Sequence, residues 1–195
     1  MTPDVPSPVA QGIDYAADHG ADVVSMSLGG DSIGSSSDKE ETKALAHAAA
    51  MGVTVIASAG NEGDGFDDSS CPAGYPSEIA VAAGQKGGSR ADFSTVRTHD
   101  TVAAPGVGIV SAKNTGGYEP VNGTSPAAAL TSGVAALMPG KDGKLKPAQV
   151  RSILTRTAAH PPGGHNPLVG HGAVNAAAAV RASPTLRPST RASRS

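Results

Sequence analysis

Tryptophan is absent, and only two phenylalanines and three tyrosines occur among 195 residues. A core without large rings must be closed by Val, Ile, Leu and Ala, which suits tightly packed layers of helix and sheet. Cysteine occurs once, at Cys71, so an internal disulfide is excluded; the thiol is either free or bridged to a partner outside this sequence. No apolar run approaches the roughly 18 residues of a membrane-spanning helix, and the first residues have neither the cationic nor the apolar region of a secretory signal. With 15 Lys and Arg against 17 Asp and Glu, the formal net charge is −2, and no basic stripe occurs outside the extreme C-terminus. That balance argues against nucleic acid or a membrane surface as a partner.

What is present is a chain long enough for one domain with a sizeable core. Ile13, Ala16 and Ala17 recur at helical spacing over residues 11–19, and Gly20 follows as a stop. Residues 23–28 read as a buried strand closed by Gly29-Gly30. Ser37 and Glu40 have capping-box spacing ahead of a helix that runs to Met51, and residues 53–59 form a second buried strand closed by Gly60-Asn61. Strand, helix and strand in this order make a βαβ unit with parallel strands. Residues 79–83, 102–104 and 109–112 are shorter strand candidates. Pro147 opens an amphipathic helix with Val150, Ile153, Leu154 and Ala158 on one face, and residues 172–180 hold a short helical turn of alanines. The expected organisation is one domain over residues 1–182 and a basic tail, 183–195, without apolar periodicity and expected to be disordered.

The most informative stretch is Val121-Asn122-Gly123-Thr124-Ser125-Pro126-Ala127-Ala128-Ala129. Residues 126–138 are apolar or small on every side apart from Thr131 and Ser132, so a helix buried all round is expected, with Pro126 in its first position. Ser125 at its N-terminus is either a cap or a nucleophile beside free backbone N–H groups, where negative charge is favoured. In parallel α/β sheets ligands gather at the carboxyl ends of strands. Two such ends stand out: Ser27-Leu28-Gly29-Gly30 and Ala57-Ser58-Ala59-Gly60-Asn61. Both leave backbone to which an extended peptide can add as a strand. Asn61 is either a turn residue or an amide that donates to an oxyanion. Glu62, Asp64, Asp67 and Asp68 make the next loop acidic; they could ligate calcium, but without regular ligand spacing a solvated loop is the plainer reading.

Taken together, these motifs resemble the subtilisin-like serine proteases. Gly123-Thr124-Ser125 followed by Gly133-Val-Ala-Ala-Leu is similar to the family's nucleophile segment, and Ser58-Ala59-Gly60-Asn61 to the segment of its oxyanion asparagine. Ser27-Leu28-Gly29-Gly30 is similar to a substrate-binding strand. Ala104-Pro105-Gly106 and Gly170-His-Gly-Ala-Val-Asn-Ala also match, so the resemblance covers roughly residues 11–180. It implies an α/β fold in three layers, a parallel sheet flanked by helices on both faces, with the N-terminal part of the domain absent. It implies a serine endopeptidase in which Ser125 attacks the scissile carbonyl while its own N–H and the Asn61 amide hold the oxyanion. Ser27, Leu28 and Gly29 would pair with substrate, and Ala57, Ser58, Ala59 and Gly60 would line the pocket for the residue preceding the cleaved bond. The implied partner is a peptide or protein substrate, and the implied location is extracellular. No cofactor is called for, although a structural calcium is compatible with the acidic loop.

The family orders its catalytic residues Asp, His, Ser. Upstream of Ser27 there is no Asp-Ser/Thr-Gly after an apolar strand and no His-Gly-Thr at a helix start. His19-Gly20 closes a helix instead of opening one, His47 falls in a helix interior, and His160, His165 and His171 read as loop residues. His99-Asp100 is a poor dyad, because adjacent residues rarely orient one another as base and orienter. Two further departures are Pro126 and Ala129, where the family has Met and Pro. The chain is therefore expected to be the C-terminal part of a longer catalytic domain, inactive alone, with its Asp and His in a missing N-terminal half. The other readings are a non-catalytic peptide-binding module and a gene remnant without a stable fold.

Overall fold

The computed structural model describes residues 7–29, 38–64, 73–97, 102–138 and 144–184. Helix α1 (Pro8–Asp18) begins where the Ser7 hydroxyl accepts the Ala10 N–H and Pro8 takes a position that needs no donor. It starts three residues before the apolar spacing suggested, because capping chemistry sets its first turn. Strand β1 (Val23–Met26), helix α2 (Asp38–Ala50) and strand β2 (Thr54–Ser58) form the expected βαβ unit, with Val24 beside Val55 and Met26 beside Ala57 in parallel register. Ser37 of the expected capping box lies outside the described residues, while the Glu40 carboxylate accepts the Ser7 N–H at 2.6 Å, so it supports the start of α1.

Strands β3 (Ile79–Gly84) and β4 (Val102–Pro105) complete a parallel sheet in the order β1-β2-β3-β4. Strand β5 (Ile109–Ala112) does not join it. It pairs antiparallel with β6 (Tyr118–Val121), a strand that sequence periodicity missed because Pro120 interrupts the pattern. Helix α3 (Thr124–Ala136) then runs against the sheet, and α4 (Pro147–Thr157) and α5 (Ala176–Ala182) follow.

Side chains alternate across the sheet, as the two-residue repeat of a strand requires. Ile56, Ile79, Val81, Val102 and Ala104 pack on one face with Ala127, Ala128 and Ala135 of α3 and with Val150, Ile153 and Leu154 of α4. Val55, Ala57 and Ala80 pack on the other with Ile13 and Ala17 of α1 and Ala44, Leu45 and Ala48 of α2. The result is the expected three-layer α/β arrangement with its core on both faces of the sheet. Among the described residues no helix is long and apolar enough to cross a membrane.

Helix α3 departs from expectation. It is not buried all round, since Leu130 is 43% and Leu137 67% exposed, whereas its polar pair faces inward. Thr131 and Ser132 are buried and donate to the carbonyls of Ala127 (3.0 Å) and Ala128 (2.8 Å), so their hydroxyls are satisfied within the helix. The inward face is chosen by size: small side chains let the helix axis come close to the sheet.

A second departure is buried charge. Glu78, at the entry to β3, is 2% exposed, and neither carboxylate oxygen has a hydrogen-bond partner among the described residues. Burial first, and then the nearby Glu41, hold its carboxyl well above the usual carboxylate range; Arg151 opposes them. Arg151 Nη2 donates to the main-chain carbonyls of Pro76 (2.9 Å) and Glu78. Glu41 is satisfied differently, accepting from the Ser7 hydroxyl at 2.9 Å and the Tyr75 hydroxyl at 3.5 Å. An acid whose pKa is raised by folding favours the folded state fully below its unfolded pKa of about 4.3, and that support is lost as pH rises toward the folded value. Glu78→Met keeps the side-chain length and removes the charge. Its thermal midpoint should exceed that of the parent by more at pH 8 than at pH 4.5 in calorimetric scans; equal differences at the two pH values would contradict a buried, neutral Glu78.

Candidate active site

Parallel strands deliver their carboxyl ends to one rim of the sheet. Residues 27–29 leave β1 there, residues 59–61 leave β2 there, and the first turn of α3 meets both. The helix is brought to this rim by its preceding turn: the Gly123 N–H donates to Gly106 O (2.9 Å), and the Gly106 N–H donates to Gly84 O (2.9 Å) at the end of β3. The N-cap is Gly123, with φ 153° and ψ 166°, a conformation that glycine adopts readily and other residues rarely do. Thr124 is therefore the first helical residue, Ser125 the second and Pro126 the third. This corrects the expected start at Pro126 and removes Ser125 as the cap. Pro126 still costs no hydrogen bond, because the first four N–H groups of a helix have no partner within it.

Thr124 joins the two segments. Its N–H donates to Asn61 Oδ1 at 2.9 Å, its hydroxyl lies 3.1 Å from the same oxygen, and the Gly60 N–H donates to that hydroxyl at 3.1 Å. Two donors on Oδ1 dictate the orientation of the amide, so Nδ2 points away from Thr124; it lies 3.7 Å from where a Gly123 Cβ would stand. Ser27 Oγ donates to Ser125 O at 3.0 Å, which ties the end of β1 to the same helical turn.

The turn carrying Asn61 is gripped from its other side. Thr95 N–H donates to Gly60 O (3.1 Å), Glu62 N–H to Thr95 Oγ1 (3.0 Å), and Gly63 N–H to Phe93 O (2.8 Å). The Thr95 hydroxyl in turn donates to the Glu62 carboxylate. Arg97, 1% exposed, donates from Nε to Ala59 O at 2.6 Å, and its Nη1 has no partner among the described residues. Gly60 sits at φ 107°, and a Cβ there would collide with the Glu62 carboxylate and lie 2.7 Å from Thr95 Oγ1. Arg97 and Thr95 had no signal in sequence periodicity, since their role follows from a contact across 38 and 33 residues respectively.

The expected substrate-binding residues divide into two groups. Ser27, Leu28 and Gly29 lie beyond Met26, the last paired residue of β1, and are exposed. Ala57, Ser58 and Ala59 are buried, and the Ala57 methyl lies in the core beneath α1 and α2. The backbone of Ala59 and Gly60 is engaged on both N–H and C=O by Val81, Arg97, Thr124 and Thr95. Strand addition therefore has room at residues 27–29 but not at 59–60, contrary to the expectation that both glycine-ended strands leave backbone open.

Histidines collect elsewhere. His47 is in the last turn of α2, not its interior, and its Nε2 lies 2.8 Å from Asp18 Oδ1. That hydrogen bond raises the imidazole pKa above its ordinary value. His19 closes α1 as expected, stacked on Tyr15 with its Nδ1 2.7 Å from the Tyr15 carbonyl. Both helices end just before strands begin, so His19 and the His47–Asp18 pair stand at the amino ends of β1 and β2, the opposite rim from Ser125. Ala173, two residues after His171, is bridged to Ala103 of β4 and, on its other side, to Ala159 next to His160. His99, Asp100, Cys71, Asp67 and Asp68 lie outside the described residues. Asp64 pairs with Arg90, and among the described residues no group of three or more His, Cys, Asp and Glu is arranged to hold a metal ion.

With this geometry in view, the chain can be set beside known proteins. The model of the subtilase family (Peptidase_S8) matches residues 6–172. Subtilisin DY of Bacillus licheniformis is 39% identical over 177 residues, covering 90% of this chain and 62% of the relative; alkaline elastase YaB of Bacillus sp. (strain YaB) is 39% identical, covering 90% and 44%. Among solved structures, the prenylagaramide maturation protease PagA superposes with a TM-score of 0.77 at 29% identity, over 89% of this chain and 66% of that one. A protease of Pseudoalteromonas arctica PAMC 21717 has the same score at 32% identity, over 89% and 57%. The chain thus spans under two thirds of the length of these relatives, and over that span the rim built by Thr124, Asn61 and Ser27 sits in a fold and sequence they share: the protein belongs to the subtilase family.

Proposed function

We propose that this chain carries the nucleophile and oxyanion half of a serine endopeptidase. The observation that supports this most is the orientation of Asn61. Its Oδ1 is occupied by Thr124, which leaves Nδ2 as a donor beside the first turn of α3, and the Ser125 N–H is one of the four helix-start donors without an intrahelical partner. Two such donors next to a serine hydroxyl are the equipment for holding the oxyanion of an acyl-transfer intermediate. In this reading Ser125 Oγ attacks the scissile carbonyl carbon, and its proton passes to a histidine. Charge develops on the carbonyl oxygen toward Asn61 Nδ2 and the Ser125 N–H, and the positive end of α3 favours it. Substrate lies extended along residues 27–29. The histidine and the carboxylate that orients it come from residues outside this chain, since among the described histidines His19 and His47 stand on the opposite rim and His160, His165 and His171 lie on the segment that covers the edge of β4. The substrate class is a peptide or protein, and the location extracellular, both on the strength of the family.

For the chain by itself the same placement of histidines favours a second reading, a peptide-binding module without turnover. The purified chain should not react with a fluorophosphonate probe, and adding an upstream half that carries the family's Asp and His should restore labelling that disappears in Ser125→Ala. Stoichiometric labelling of the isolated chain, lost in Ser125→Ala, would refute the assignment of the base to other residues. In the complemented enzyme, Asn61→Ala should lower kcat by about 10²–10³-fold with KM little changed, a magnitude carried over from the oxyanion asparagine of subtilisin itself. An unchanged kcat would remove Asn61 from the oxyanion site.

A further inference from the structure

The free edge of β4 is covered by the segment that leaves α4. Ala103 N–H donates to Gly172 O (2.9 Å), Val174 N–H to Ala103 O (2.8 Å), and Ala159 N–H to Ala173 O (2.8 Å). Ala173 is thereby bridged to Ala103 on one side and to Ala159 on the other. The tip of the segment is folded on itself: Asn166 and Gly170 exchange two backbone hydrogen bonds, and Asn166 Oδ1 accepts from the N–H groups of Leu168 (2.9 Å) and Val169 (3.0 Å). It is held to the domain by Val169, buried with Ala82 and Ala103, and by Pro167 O, which accepts the Arg97 N–H at 3.3 Å.

Three imidazoles lie on this segment. The ring centroids of His165 and His171 are 4.7 Å apart and those of His160 and His171 are 6.4 Å apart, both pairs edge to face. His160 Nδ1 lies 2.9 Å from the His171 carbonyl, which can only accept, so that nitrogen carries hydrogen. Among the described residues the charged or titratable groups acting on His171 are His165 and His160 from the segment itself and Arg151 from α4. Every one of them is a cation when charged, and among the described residues a backbone hydrogen bond at Gly164 acts on His171 in the opposite direction.

We propose that this cluster is an acid-sensitive latch: with neutral rings it packs edge to face and keeps residues 159–174 in the fold that docks on β4 through the main-chain hydrogen bonds above, and protonation sets like charges 4.7 to 6.4 Å apart beside Arg151 and releases the segment. The direction is supported by His171, whose imidazole is held below its ordinary value by burial first and by its cationic neighbours second. A base with a depressed folded pKa binds fewer protons folded than unfolded. Docking is therefore complete above the ordinary histidine pKa of about 6.5 and weakens as pH falls through it toward the depressed value. Release would also remove Pro167 O from the main-chain N–H of Arg97, the residue whose Nε holds Ala59 O next to Asn61. The latch is thus connected to the oxyanion turn, but its existence rests on hydrogen bonds and ring positions and does not depend on peptidase activity.

Amide hydrogen exchange followed by NMR on the 195-residue chain tests it, with EDTA present to remove imidazole-bound metal. Protection factors at Ala103, Ala159 and Val174, corrected for intrinsic exchange, should fall severalfold from pH 7.5 to 5.5. Those of Ile56 and Val81 in the sheet centre should not follow. In His165→Asn/His171→Asn, protection at the three edge amides should persist at pH 5.5. Equal protection of the parent at both pH values, or the same fall in the double variant, overturns the proposal. Should the variant not fold, ring-proton titration of the parent decides: a His171 ring that titrates at or above the free-imidazole value overturns the latch, and one below it sustains it.

Discussion

Thr124 is the residue on which the candidate site depends. A helix start has surplus N–H donors, and a strand that ends in Gly-Asn has a side-chain acceptor; Thr124 joins the two through its N–H and its hydroxyl. Because Asn61 Oδ1 is used in this way, Nδ2 is turned away from Thr124, and because Gly123 is the cap, Ser125 lies inside the first turn. Ser27 brings β1 to the same turn. Segments 98 and 63 residues apart in sequence are thus fixed at one rim by a few hydrogen bonds of ordinary length.

That rim can be held steady only if α3 lies close to the sheet, and the scarcity of aromatic residues makes this feasible. Ala127, Ala128 and Ala135 meet Ile56, Val81 and Ala104 with no bulky ring between them. The same closeness reverses the usual polarity of the helix. Thr131 and Ser132 go inside because they are small and can bond to their own helix, while Leu130 and Leu137 are left outside. Buried charge appears where the sheet meets its loops. Arg97 is tied to a carbonyl that needs a donor, whereas Glu78 has no partner for its carboxylate among the described residues and depends on being neutral.

The two rims of the sheet are chemically different. The carboxyl ends carry Ser125, Asn61 and the exposed residues 27–29; the amino ends carry His19 and the His47–Asp18 pair. A histidine hydrogen-bonded to an aspartate invites comparison with a catalytic dyad, but it stands a strand length away from the serine. Along the free edge of β4 a segment carrying a third group of histidines is held by main-chain hydrogen bonds and reaches the Arg97 N–H, while the Arg97 side chain reaches the turn of Asn61. The edge of the sheet and its carboxyl rim are therefore mechanically connected.

Much of the layer structure was legible in the residues. The βαβ unit, the parallel strands and the amphipathic face of α4 follow from apolar spacing and glycine stops, both of which are local, whereas Ser125 and Asn61 stand out only through ordered motifs that resemble a family. Local patterns failed where a partner distant in sequence decides. Strand β6 exists because β5 pairs with it, and α1 begins early because Ser7 caps it and Glu40 reaches back to it. The sequence by itself determined which groups are available at strand ends and helix starts, since backbone geometry and side-chain chemistry are written residue by residue. Only the tertiary structure decided which of them are spent: Asn61 Oδ1 on Thr124, the Ala59 carbonyl on Arg97, His47 on Asp18. Hydrogen bonds between remote segments depend on how the layers stack, and no local pattern encodes that distance.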